Sequence, residues 1–303
     1  MNPQHVRIQV PASTANLGPA FDCLALALDL WNVVEFEVGG NGLQIEVDGE
    51  GAERLPRDGR NLVWRAVQRL YAEVSAPPPQ NLRLRCHNHI PLSSGLGSSA
   101  AASLAGLLGA NALLGAPLKP ELILRLGAEL EGHADNLAAA LYGGLVLVKH
   151  TDWRTTALPL PCAAWQAVYV LPRIRLSTRA ARAALPRRVA LEDAVFNIGQ
   201  ALALQAALAQ GDLAALAEAM QDRLHQAHRL ALLPGAAAAL AAAQRLGAAA
   251  CLSGAGPGVI AFTHTAEAPA VLAAMRQAFE AEQVATREYL LHSTPRAADV
   301  QPG

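Results

Sequence analysis

Apolar and polar positions alternate in several short runs, and between these lie long stretches of Ala, Leu and Gly. Val6-Arg7-Ile8-Gln9-Val10, Leu26 to Val38 and Asn81 to Ile90 alternate and read as strands with one buried face. Gly39 to Gly51 reads as a turn and a further strand. Leu145-Val146-Leu147-Val148, Val168 to Pro172 and Arg287 to Leu291 are apolar runs of strand length. Helical spacing or composition covers Asn61 to Leu70, Ala101 to Leu114, Glu121 to Glu131 behind Pro120, Glu192 to Gln210, Leu213 to Met220 and Ala266 to Ala281. Thr151 to Trp165 is mixed and contains prolines, so the chain is expected to divide there into residues 1–155 and 156–303. Ser293 to Gly303 is expected to fray.

Composition narrows the class. The 303 residues, 52% hydrophobic and 16% charged, suit one large or two ordinary compact domains. A net charge of −1 without a basic cluster argues against nucleic acid or an anionic membrane as partner. Cys23, Cys86, Cys162 and Cys251 are scattered, so neither zinc nor a disulfide framework is indicated. No apolar run is long enough to span a bilayer, and a reducing cytoplasm is the expected setting.

Candidate chemistry concentrates in Pro91-Leu92-Ser93-Ser94-Gly95-Leu96-Gly97-Ser98-Ser99-Ala100-Ala101, between a strand and a helix. Three readings compete. A serine could simply cap the helix. Gly95 to Ala100 formally matches a dinucleotide fingerprint, but Arg83, Arg85, His87 and Asn88 interrupt the preceding strand, which should then be continuously apolar. The third reading is a nucleotide-triphosphate loop that is not a Walker A, since glycines and a helix N-terminus together present backbone N–H groups to phosphate. Elsewhere, His87 and His89 share a strand face with the arginines and read as solvated. Asp135 reads as a helix cap. Asp222, His225 and Arg229 fall at i, i+3 and i+7, a helical stripe of the kind that is ordinarily solvated.

Pro91 to Ala101 resembles the phosphate-binding motif of the GHMP kinases, close to P-x-x-x-G-L-G-S-S-A-A. Four further stretches resemble the homoserine kinases of that family: Pro11 to Leu24, Glu131 to Gly144, Leu176 to Pro186, and Asp222 to Gly235 with its D-x-x-H-x-x-x-R. Cys251 to Phe262 resembles the third GHMP motif. Departures are Ala20 for Gly, Ala134 for Pro, Gln226-Ala227-His228 in place of Glu-Pro-Tyr, and Gly258 where a hydroxyl residue is usual, which removes a possible donor. If position 20 needs a positive φ, Ala20 costs about 1 kcal/mol.

The resemblance implies an α+β, two-domain fold: an amino-terminal ATP-binding domain like domain 2 of ribosomal protein S5 and a ferredoxin-like carboxy-terminal substrate-side domain. It implies transfer of the ATP γ-phosphoryl to the side-chain hydroxyl of L-homoserine, forming the threonine precursor O-phosphohomoserine, with Mg²⁺ on Ser99 and Glu131. Pro91, Ser93, Ser94, Gly95, Leu96, Gly97, Ser98, Ser99, Ala100 and Ala101 would bind ATP, with Asn61 and Val63 near the adenine. Arg182 and Arg229 would clamp the substrate carboxylate and Asp22 its ammonium, while Asn16, His133, Asn136 and Thr178 orient the rest. Asn16 and Asn136 would place the hydroxyl without a strong carboxylate base. The resemblance allows a homodimer. Two alternatives stay open: a GHMP kinase for another alcohol (mevalonate or shikimate), and a non-catalytic ATP-binding sensor.

Overall fold

The computed structural model describes residues 4–151 and 154–302, so Met1 to Pro3, and Gly303 at the end of the expected tail, lie outside the described residues. β1 (His5–Ala15) and β2 (Leu24–Val38) pair antiparallel along their length. Their alternation buries Val6, Ile8 and Val10 on one strand and Val34 and Phe36 on the other. β3 (Leu43–Gly49) is followed by α1 (Leu62–Glu73), which crosses over so that β4 (Leu82–Asn88) runs parallel to β3 and antiparallel to β2. The solvent face of β4 is an ion-pair ladder, Arg83 and Arg85 against Glu35, Glu37 and Glu46 at 3.5 to 3.7 Å. His87 on that face pairs with Asp48 at 2.6 Å.

α2 (Ser98–Leu113) carries apolar or small residues all round and is buried accordingly. Its glycines permit close approach: a Cβ on Gly106 would lie 2.3 Å from the Val63 carbonyl oxygen, and one on Gly109 2.2 Å from the Phe36 ring. α3 (Pro120–Glu131) and α4 (Asp135–Tyr142) complete this helical layer. β5 (Leu145–Thr151) pairs with β2 and with β6 (Arg154–Leu160), so the strand crossing residue 155 joins the first sheet.

β7 (Gln166–Pro172) opens the second sheet and is buried along its whole length. After α5 (Thr178–Ala183), α6 (Leu191–Gln210), α7 (Leu213–Ala219), α8 (Gln226–Leu230) and α9 (Ala236–Arg245) come β8 (Ala249–Leu252), β9 (Val259–Thr263), α10 (Ala268–Ala281) and β10 (Thr286–His292). The order β10-β7-β9-β8, all antiparallel, is the ferredoxin-like arrangement. Val168 and Val170 of β7 pack under α9 and α10, while Ala167, Tyr169 and Leu171 belong to the core shared with the first sheet. This double burial explains why β7 shows no alternation.

Five local expectations change. The tail is ordered where described: β11 (Asp299–Pro302) adds to the edge of β1, because Ile8 and Gln9 there offer unpaired backbone groups to Val300 and Asp299. No serine caps α2. Its N-cap is Gly97 at φ 70°, a left-handed conformation that glycine adopts without strain. Asp135 is the first residue of α4 rather than its cap. Asp222, His225 and Arg229 do not form a helical stripe. Asp222 lies ahead of the short α8 and accepts the N–H groups of Leu224, His225 and Gln226, so the three side chains converge in the interior instead of facing water. Ala20 is not at positive φ, and the cost anticipated there does not arise.

Candidate active site

The loop before α2 follows from its glycines. Gly95 and Gly97 sit at φ 86° and 70°, and a Cβ on either would collide, at 2.1 Å with the Ser253 carbonyl oxygen and at 2.6 Å with Ser13 Oγ. Ser94 Oγ donates to the Pro91 carbonyl at 2.7 Å and Ser98 Oγ to that of Ile90 at 3.3 Å, so both hydroxyls turn into the loop. With no side-chain cap, the first N–H groups of α2 meet the cavity at the positive end of the helix dipole. Gly254 to Gly256 line the same cavity from the second half. Ser253 Oγ donates to the Gly95 carbonyl at 2.8 Å, and the Tyr169 hydroxyl donates to that of Ser94. A Cβ at Gly258 would lie 1.9 Å from the Tyr169 oxygen, so here the hydroxyl comes from Tyr169 rather than from residue 258.

Ser99 Oγ and Ser103 Oγ donate to the two oxygens of Glu131, each at 2.6 Å. Asn136 Nδ2 donates to Ser13 at its carbonyl (3.1 Å) and hydroxyl (3.0 Å), leaving Oδ1 without a partner among the described residues. His133 Nδ1 bonds Asp135 Oδ1 at 2.8 Å, and the same oxygen accepts from Asn136 N at 2.8 Å. That hydrogen bond raises the His133 pKa against the opposing effect of burial. Burial pushes the Asp135 carboxyl up, but His133, the Asn136 N–H and Arg182 together hold it below its ordinary value.

At the other end, Arg182 on α5 forms a two-pronged ion pair with Asp22, at 2.8 and 2.9 Å. Asp22 is held at φ 55° by Asn16, whose Oδ1 accepts the Asp22 N–H at 2.9 Å and whose Nδ2 donates to the Gly254 carbonyl at 2.7 Å. Arg229 is 1% exposed. Its Nη1 donates to His225 Nδ1 and to the Gly254 carbonyl, both at 3.1 Å, its Nε has no partner, and among the described residues no carboxylate pairs with it. Both guanidinium groups lie near the Phe21 ring, that of Arg182 at 5.7 Å and that of Arg229 at 5.2 Å from its centroid.

One cavity of about 330 Å³ gathers most of the expected residues: Ser93 to Gly95, Gly97 to Ala100, Asn61 and Val63, together with Asn16, Asp22, His133, Asn136, Thr178, Arg182 and Arg229. Pro91, Leu96 and Ala101 do not line it. They are buried beneath the loop and brace it. Glu131 stands behind Ser99. Asn61 is the side-chain cap of α1, accepting from Val63 N at 2.9 Å. Phe21, Ser103 and Tyr169 were not singled out from the sequence, and Asp135 only as a helix cap. Phe21 was legible as the neighbour of Asp22 in a quoted motif and Ser103 as the residue one helical turn after Ser99, whereas Tyr169 reaches the site through a long-range contact that has no local signal. No helix of the described residues is long and apolar enough to cross a membrane.

Comparison with known proteins places the chain in a family. Residues 61–144 match the model of the GHMP kinases N terminal domain, and residues 204–281 that of the GHMP kinases C terminal. A homoserine kinase of Moorella thermoacetica is 45% identical over 275 residues, 90% of this chain and 92% of that protein. The crystal structure of a homoserine kinase from Cytophaga hutchinsonii superposes with a TM-score of 0.87 at 31% identity, covering 98% of both chains. An L. major mevalonate kinase in complex with R-mevalonate, at TM-score 0.68 and 18% identity over 98% of this chain and 97% of that one, shares the fold.

Proposed function

This chain belongs to the GHMP kinase family, and we propose that it transfers the γ-phosphoryl group of ATP to the side-chain hydroxyl of L-homoserine, giving O-phospho-L-homoserine and ADP on the route to threonine. One observation carries the substrate assignment. The cavity that holds the helix N-terminus also holds a buried arginine with no carboxylate, next to an Asp22–Arg182 pair that can be exchanged. A buried unpaired cation costs several kcal/mol, which an incoming carboxylate offsets. When Arg182 turns to that carboxylate, Asp22 is released to the substrate ammonium. A zwitterion satisfies both changes, whereas a hydroxy acid such as mevalonate leaves Asp22 without a cation.

The phosphates of ATP rest on the N–H groups of residues 95–101, with Asn61 and Val63 toward the base. Ser99 and Glu131 are hard oxygen donors in contact with each other, and the described residues offer no cluster of three or more His, Cys, Asp or Glu. That set fits Mg²⁺, which takes one or two protein oxygens and completes its shell with phosphate and water. When bound, the ion supplies neutralisation of phosphate charge. The homoserine oxygen bonds to the γ-phosphorus as the bond to the β–γ bridging oxygen breaks, ADP departs with that electron pair, and the hydroxyl proton leaves to the new phosphate or solvent. Asn136 Oδ1 accepts the hydroxyl hydrogen bond but, as an amide, takes no proton. Asn16 acts through the loop it holds. Alignment and charge neutralisation supply most of the acceleration for such a transfer.

On this reading residues 1–155 form the nucleotide side and 156–303 the substrate side, with β6 and β11 tying them together. Cytoplasmic location and assembly as a homodimer belong to the same proposal. Its test is Arg182→Ala, expected to raise KM for L-homoserine by about tenfold or more with KM for ATP little changed. An unchanged KM for homoserine removes the acceptor pocket.

A further inference from the structure

We propose that His225 is the positioning residue that aims Arg229 at the substrate carboxylate, an inference that rests on the role given above to Arg229. Both ring nitrogens of His225 are committed. Nε2 lies 2.7 Å from the Gly18 carbonyl, which can only accept, so Nε2 carries the proton. Nδ1 is therefore a bare lone pair, and it receives Nη1–H of Arg229 at 3.1 Å. The ring is 1% exposed and rests on Phe21 with centroids 5.2 Å apart, while Asp222 fixes its backbone by accepting the His225 N–H at 2.9 Å. Burial lowers the pKa of His225, in keeping with the neutral ring that this bond requires.

The consequence for Arg229 is directional. A buried guanidinium without a carboxylate partner would be drawn toward Asp22. The His225 lone pair and the Gly254 carbonyl instead engage Nη1 from the protein side. Of the other two nitrogens, Nε is buried without a partner, and Nη2, which makes no bond among the described residues, is left for the ligand. His225 thus presets the clamp before substrate arrives, so that the carboxylate need not pay for ordering it.

Two substitutions separate this role from simple packing, because each keeps one of the two hydrogen bonds. Asn places its Oδ1 near the position of Nδ1, keeping the acceptor for Arg229 and losing Gly18. Gln places its amide donor near Nε2, keeping Gly18 and losing the acceptor. His225→Gln is expected to raise KM for L-homoserine about tenfold, with kcat and KM for ATP within about twofold, and His225→Asn to stay within about threefold of the parent. Equal effects of the two, the reverse order, or a matching rise in KM for ATP would overturn the proposal.

Arg229→Ala distinguishes the two layers. If it leaves KM for homoserine unchanged, the clamp itself fails and His225 falls with it. If it raises KM steeply while His225→Gln does not, only the positioning role fails. Ring ¹⁵N NMR of the unsubstituted protein provides a readout that does not depend on either variant folding. The Nε2–H tautomer of His225 is expected, and an Nδ1–H ring or an imidazolium at neutral pH contradicts the proposal.

Discussion

Single residues here act in pairs whose charge states depend on one another. His133 and Asp135 share a hydrogen bond that raises the pKa of the histidine. In the unfolded chain a histidine titrates near about 6.5. As pH rises from there through the folded value, the unfolded state loses its proton first. The folded state then binds more protons, and stability falls with increasing pH across that window. His133→Asn should flatten this fall, as measured by urea unfolding at a series of pH values from about 6 to 9. An unaltered slope would mean that the pair is not titrating as described. Asn16 and Asn136 are likewise held by partners of their own. Their backbone and hydroxyl partners fix the Asn16 loop and the Asn136 amide before any ligand is present.

At the scale of elements, the glycine–serine loop before α2 is held from both halves of the chain. Ser94 accepts from the Tyr169 hydroxyl on β7 and, at 3.2 Å, from the Gly258 N–H before β9, while Gly95 accepts from Ser253. The space between loop and sheet is full, since a Cβ on Gly258 would stand 1.9 Å from the Tyr169 oxygen and 2.3 Å from Cζ. Gly258→Ser should therefore cost about 1–3 kcal/mol of stability by overpacking. It should also raise KM for ATP more than KM for homoserine, because Tyr169 moves with the loop it braces. Denaturant unfolding and steady-state kinetics read the two effects. A stable variant with normal ATP kinetics would show that the contact is slack.

Legibility followed range in sequence at this scale. β1, β2 and β4 were visible in their alternation, and the glycine–serine loop in its motif. β11 was not visible, because four residues at a chain end become a strand only when the edge of β1 is there to receive them. The turn around Asp222 was misread as a stripe because helical spacing persists across a segment whose backbone is bound instead to a buried carboxylate.

For the whole molecule, the site is a property of the assembled halves. The glycine–serine loop, Asn16 and Asp22 come from the first half, and Arg182, Arg229 and the Gly254–Gly256 turn from the second. The identity of these residues could be read from motifs, but the fact that Arg229 lacks a carboxylate while Arg182 has one could not, since it depends on which side chains meet across the cleft. That asymmetry is the ground for assigning a zwitterionic acceptor, and it is tested most directly by measuring ADP release with Mg-ATP and a panel of acceptors: L-homoserine, L-threonine, L-serine, mevalonate, shikimate and none. Turnover with L-homoserine is expected far above every other acceptor and above the blank. Turnover with mevalonate or shikimate in its place, or ATP binding without turnover on any acceptor, would contradict it.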